Sequence, residues 1–190
     1  SAALALGVSV KVFDNSLLKL RRLQNEIGQK VFTSVIQPKV LEKALMRCDV
    51  AIGALSAPQG RTPCIVSEDV VKKMKSGSVI IDVSIDKGGC FETSKITTHQ
   101  KPTFTKHDII HYCVPNIGSR VSRTASFSLS NIFSPLLIEI SESGGCEKLI
   151  QFSKGFRHGV YIYNGTLTSS ILGKAFNIPY KNLDLLISAL

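Results

Sequence analysis

Short β-branched runs alternate with amphipathic segments along the first two thirds of the chain, and several of those segments carry a stop signal. No other feature restricts the possible folds as strongly. Val8–Phe13 alternates as a strand does and closes at Asp14. Leu17, Leu18, Leu20, Leu23 and Ile27 then recur at helical spacing, with Gly28 placed to end the helix in a left-handed conformation. Val31–Val35 is the next strand. Pro38 can open a helix through Leu41, Ala44 and Leu45, because its missing amide is not needed there. Asp49–Ala54 follows as a buried strand. Ser67 stands as an N-cap, with Glu68 and Asp69 in the first turn, Lys72, Lys73 and Lys75 towards the last, and Gly77 as the stop. A strand running from Val79 to Asp86 comes next, then an irregular stretch through Pro102, then a strand at Ile109–Val114. Such repetition predicts an α/β fold with a doubly wound parallel sheet.

After Arg123 the pattern changes to a long, largely apolar helical stretch through Phe127, Leu129, Ile132, Phe133, Leu136, Leu137 and Ile140, ended by Gly144-Gly145. Two short helices are expected around Ile171-Leu172 and Leu183–Leu186, with a turn near Pro179. Residues 1–122 therefore read as a partial Rossmann-like nucleotide-binding domain, and 123–190 as a C-terminal helical segment of another packing unit.

The chain has 190 residues, 44% of them hydrophobic, which suits an ordinary globular core. Its formal net charge of +9 is scattered, and the clusters at Lys19–Arg22 and Lys72–Lys75 lie on expected helices. With no Trp and no basic run interleaved with aromatics, the charge does not describe a nucleic-acid surface. The five cysteines (Cys48, Cys64, Cys90, Cys113, Cys146) occur singly, without a C-x-x-C pair, and a reducing cytoplasm is the simplest reading. No apolar run reaches the roughly 18 residues that a membrane span needs.

Ligands of open parallel sheets bind beyond the carboxyl ends of the strands, which makes Asp86, followed by Lys87-Gly88-Gly89, the first candidate for chemistry. Asp14 stands where an acid would hydrogen-bond the adenosine ribose of NAD and repel the extra phosphate of NADP, although it could equally cap the following helix. The sheet context favours binding. A glycine-rich phosphate loop normally precedes that acid by about 20 residues. Ser1–Gly7 reads instead as the tail of the helix after such a loop, so the first strand and its pyrophosphate site are expected outside the sequence. Cys90 has no evident base beside it. His107 and His111 have the spacing of a helical metal pair but fall in or next to a strand without a third ligand, so no metal is expected. His99 reads as a solvated loop residue.

The segment Asp82-Val83-Ser84-Ile85-Asp86-Lys87-Gly88-Gly89-Cys90-Phe91-Glu92-Thr93-Ser94, together with Thr97-Thr98-His99 and Val114-Pro115-Asn116-Ile117, resembles the alanine dehydrogenase family. The related nicotinamide nucleotide transhydrogenases have a longer acidic run before Gly-Gly and lack the Cys-Phe-Glu-Thr continuation. The resemblance implies NAD-dependent oxidative deamination of L-alanine to pyruvate and ammonia, with Asp86 as the active-site acid. It also implies a His and a Lys from an N-terminal substrate domain not in this sequence. By the same resemblance Asp14 and Lys19 meet the adenosine end, and Leu55 and Ser56 lie beside adenine or ribose. Val83, Ser84, Ile85 and Asp86, with Val114, Pro115, Asn116 and Ile117, line the nicotinamide side. Lys95 stands where an Arg can occur, Ile36 where a polar residue can, and Pro115 and Ile117 replace the commoner Ala and Met. A homo-oligomer, often a hexamer, is also implied, with no membrane association and with the chain inactive by itself. The alternatives are a transhydrogenase α-type NAD-binding subunit and a non-catalytic nucleotide-binding or interaction module.

Overall fold

The computed structural model describes residues 2–56 and 60–188. Two compact units divide them, one within Ser1–Ala57 and Arg61–Pro115, the other within Pro58–Gly60 and Asn116–Leu190.

The first unit opens with α1 (Ala2–Ala5), the helical tail expected from the sequence, with Ser1 outside the described residues. β1 (Lys11–Phe13), α2 (Leu17–Ile27), β2 (Phe32–Ser34), α3 (Pro38–Leu45) and β3 (Val50–Gly53) then follow in the expected order. Ser16 Oγ accepts the Lys19 amide at the start of α2, and Gly28 ends the helix at φ 66°. Pro38 occupies the first turn of α3.

The next helix departs from expectation. α4 spans only Glu68–Val71, and the Ser67 side chain does not cap it. The Glu68 amide donates instead to Glu92 Oε2 at 2.6 Å. The lysines expected to extend α4 are held in ion pairs, Lys72 with Asp69, Lys73 with Glu42 and Lys75 with Asp49.

β4 (Val79–Asp82) also ends four residues earlier than the strand read as running to Asp86. The cause is local: Asp82 Oδ1 accepts the Ser84 amide at 3.0 Å and turns the chain into a 3-10 helix over Val83–Lys87. The stretch read as irregular through Pro102 leads into β5 (Thr103–Lys106), an unexpected strand antiparallel to β6 (Ile109–Tyr112). Its turn residues His107 and Asp108 have φ of 53° and 59°, the hairpin geometry usually announced by a glycine, which this sequence lacks.

The strands form two separate sheets, β1-β2 and β3-β4-β6-β5, parallel except for the β5 edge. Among the described residues no ladder joins β1 to β3. The core lies on one face of the larger sheet, where Ala51, Ile80 and Ile109 pack with Leu45, Val71 and Phe91. On the opposite face, the register Val50–Val79–Ile110 and Ile52–Ile81–Tyr112 makes two apolar rows. Val50, Ile52 and Ile110 in those rows are exposed.

In the second unit α5 (Ser122–Glu142) contains Pro135, whose ring nitrogen cannot donate to the Asn131 carbonyl one turn back. α6 (Cys146–Phe152) and α7 (Lys154–His158) come next. An unexpected hairpin, β7 (Ile162–Tyr163) and β8 (Thr166–Leu167), turns at Asn164-Gly165. The expected helices α8 (Ser170–Phe176) and α9 (Leu183–Ser188) complete the unit. Ile150, Tyr163 and Leu183 form its core. Arg157 ties α7 to α6 and α9 through the Ile150 carbonyl at 2.8 Å and Asp184 at 3.0 Å. No helix among the described residues is long and apolar enough to cross a membrane.

Candidate functional site

At the carboxyl end of β4 the two acids of the Asp82–Asp86 segment have separate places. Asp82 is 1% exposed and its carboxylate is enclosed by donors. Oδ2 accepts the Cys90 amide at 2.9 Å, the Phe91 amide at 3.4 Å and the Ser94 hydroxyl at 2.6 Å, while Oδ1 accepts Ser84 N. Asp86 lies on the 3-10 turn and is exposed. Its turn is latched from outside by the Thr62 amide, which donates to the Lys87 carbonyl at 2.8 Å. The chain reverses at Gly88 and Gly89, both at positive φ. A side chain on Gly89 would begin 2.7 Å from Asp82 Oδ2, so glycine is what lets the turn close over the carboxylate.

The other sequence-predicted residues divide by orientation. Val83 is exposed, whereas Ser84 and Ile85 are buried, with the Ser84 hydroxyl donating to the Leu55 carbonyl at 2.8 Å. Leu55 and Ser84 are therefore brought together. Ser56 and Lys95 are exposed, Val114 is buried and Pro115 half-buried. Asn116 and Ile117 fall in the second unit, where Asn116 precedes a 3-10 turn at φ 51°. Asp14 and Lys19 belong to the β1-β2 layer. Asp14 Oδ1 accepts the Ser16 amide at 2.8 Å, which makes it a helix-entry residue as well as a candidate ligand. No described contact joins either residue to the Asp86 turn. A groove of about 250 Å³ beside α3, lined by Pro38, Leu41, Cys64 and Val70 among others, includes none of these candidates.

Sequence reasoning missed three residues that shape this edge, Asp82, His111 and Gly53. Asp82 directly follows an apolar run and has Ser at the second position after it, the pattern of an Asx turn, and that signal was available. His111 is fully buried in β6, with Nδ1 3.0 Å from the Ile109 carbonyl and Nε2 2.8 Å from Thr93 Oγ1. A carbonyl only accepts, so Nδ1 carries the proton and Nε2 accepts the Thr93 hydroxyl. Burial lowers the His111 pKa in agreement with that neutral ring. Gly53, at the end of β3, leaves room for the Cys90 thiol and the Phe91 ring. Burial, and then the charge of Asp82, push the Cys90 thiol up to about 12, which makes it inert as a nucleophile. Among the described residues no group of three or more His, Cys, Asp or Glu is arranged to hold a metal.

Residues 1–170 match the family described as alanine dehydrogenase/PNT, C-terminal domain. The chain belongs to this family. It is 36% identical over 185 residues to an alanine dehydrogenase of Halomonas elongata, covering 97% of this chain and 50% of the relative. Alanine dehydrogenase 2 of Staphylococcus aureus is 37% identical over 183 residues, with 96% and 49% covered. A solved L-alanine dehydrogenase superposes with a TM-score of 0.82 at 31% identity, over 93% of this chain and 48% of that one. A transhydrogenase from Sinorhizobium meliloti shares the fold, with a TM-score of 0.65 at 17% identity over 88% and 44%. The chain thus spans about half the length of the curated family members it matches.

Proposed function

We propose that this chain is the nicotinamide-nucleotide-binding half of an alanine dehydrogenase, which converts L-alanine, water and NAD+ to pyruvate, ammonium, NADH and a proton, and runs the reverse amination. Similarity to alanine dehydrogenases along 97% of the chain carries the reading. The exposed carboxylate of Asp86, on a turn directly beyond a parallel strand, supports it.

The residues suit NAD. Asp14 is half-buried at the end of β1, and its Oδ2 has no partner among the described residues, which fits a ribose diol. Lys19 serves the adenosine end, and Leu55 and Ser56 the adenine or ribose. Val83, Asp86, Lys95, Val114 and Pro115 serve the nicotinamide side. Ser84 and Ile85, turned inward, contribute main chain rather than side chain. When bound, the nicotinamide supplies a hydride acceptor. Asp86 takes a proton from the water that attacks the oxidised carbon and returns one to the departing amine. The same reading makes the assembly a cytoplasmic homo-oligomer, hexameric by family resemblance, and leaves this chain inactive by itself.

The test uses the full-length source protein, following NADH consumption with pyruvate and ammonium and comparing NADPH. Turnover with a preference for NADH is expected, and Asp86→Asn should lower kcat on the order of 10²–10⁴-fold while sparing NAD affinity. Wild-type turnover in that variant removes Asp86 from its role. Absence of alanine-dependent turnover, with hydride exchange between nucleotides instead, assigns the protein to the transhydrogenase side.

A further inference from the structure

Asp86 is four residues beyond a second carboxylate whose surroundings suit a different task. The Asp82 side chain reaches both the outgoing limb of the loop, at Ser84 N, and the returning limb, at Cys90 N, Phe91 N and Ser94 Oγ. It closes a ring of main chain with Asp86-Lys87-Gly88 at the apex. None of the ion pairs found among the described residues includes Asp82, so its partners are amide and hydroxyl donors and, at 3.8 Å from Oδ1, the Cys90 thiol. The returning limb has a second anchor on β6, the strand next to β4 in the same sheet. Thr93 donates to His111, whose ring is stacked on Phe104 at 4.7 Å between centroids and fixed by the Ile109 carbonyl.

We propose that Asp82 is the positioning residue of the Asp86 loop: its buried carboxylate draws both limbs of the Val83–Ser94 turn together and thereby sets where Asp86 stands relative to the cofactor edge. The catalytic part of this claim rests on the role given to Asp86 above, while the structural part does not. A hydrogen-bonded ring has one preferred closure, and a carboxylate accepts from all sides at once. An amide of the same shape presents an NH2 to one set of donors and must release a limb. The two acids therefore divide the labour, Asp82 holding the loop and Asp86 meeting the reactants.

The experiment compares Asp82→Asn and Ser94→Ala with Asp69→Asn, an exposed control, in the full-length source protein. Amide hydrogen exchange is read at Ile85–Phe91 and, separately, in the β4 and β6 strands. Expected is faster exchange of the loop amides by about tenfold or more in Asp82→Asn, a smaller increase in Ser94→Ala, and unchanged protection of the strands. Kinetics are normalised to nucleotide-binding sites counted by NADH fluorescence. A fall in kcat on the order of 10²-fold is expected for Asp82→Asn, with a displaced pH profile and an altered isotope effect on α-deuterated alanine. Ser94→Ala should move the same quantities less. Loop protection equal to wild type in Asp82→Asn overturns the proposal, as does wild-type kcat per site with an unmoved pH profile. Failure of the Asp86 reading is seen independently, as wild-type turnover in Asp86→Asn, and the loop exchange then still decides whether Asp82 holds the loop.

Discussion

Gly53→Ala is the sharpest test of the packing behind the candidate loop. The added Cβ would lie 2.3 Å from Cys90 Sγ and 2.7 Å from Phe91 Cε2. Neither neighbour can yield easily. Cys90 is 1% exposed, its amide is held by Asp82 and its carbonyl by Ile65 and Val66. Phe91 is 5% exposed and its strand bridge to Val66 fixes the backbone. Overpacking of this kind costs about 1–3 kcal/mol, and two rigid neighbours place this site near the upper figure. For a chain of this size, about 3 kcal/mol corresponds to a fall in Tm of roughly 6–12 °C. Thermal unfolding followed by circular dichroism measures it, with Gly118→Ala, where a Cβ meets nothing within 4 Å, as the control. Adding Cys90→Ala should recover part of the loss, with a coupling of about 1 kcal/mol, because the nearer of the two obstacles is removed. An unshifted Tm in Gly53→Ala, or strict additivity in the double variant, refutes the reasoning.

Cys90, held as a thiol, should resist alkylation at pH 8 in the folded protein while exposed Cys64 and Cys146 react, as read by mass spectrometry of digests. Because its pKa is raised from 9.0 to about 12, the thiol's contribution to stability is complete below about 9 and lost as pH rises towards 12. Glu68 runs the other way: hydrogen bonds from His107 and Lys106 hold it down from 4.5 to about 2. The stability it adds is present above 4.5 and lost as pH falls through 2, and Glu68→Gln should flatten that part of an acid-unfolding curve.

The parts of the fold legible in the sequence were those written by local signals. Gly28 at its left-handed cap, Pro38 in the first turn of α3, and the β-branched runs of β1 to β4 and β6 each act within a few residues. What escaped depended on distant partners. Glu92 supplants Ser67 at the start of α4 from 24 residues away. β5 exists because β6 offers it an edge, and its turn uses His107 and Asp108 where a glycine would have announced a hairpin. The Asn164-Gly165 hairpin signal, by contrast, was there to be read. At the candidate site Asp86 was visible as an acid beside paired glycines, but the inward turn of Ser84 and Ile85 follows from the early end of β4. That end is set by a side-chain bond from Asp82 that strand periodicity does not encode.

The separation of the β1-β2 and β3-β4-β6-β5 sheets predicts parts of unequal cooperativity in the first unit. With no ladder joining the two sheets among the described residues, the smaller layer depends on side-chain packing, and its buried apolar residues, Leu20 and Val31, stand outside the main core cluster. Such a layer is expected to open before the larger sheet in local unfolding. Asp14 and Lys19 lie on it, whereas Asp86 follows β4 of the larger sheet. The adenosine end of the proposed site can therefore come and go while the reacting end stays formed, and a bound nucleotide spanning both would register as added protection in β1 and α2 before any change in β4.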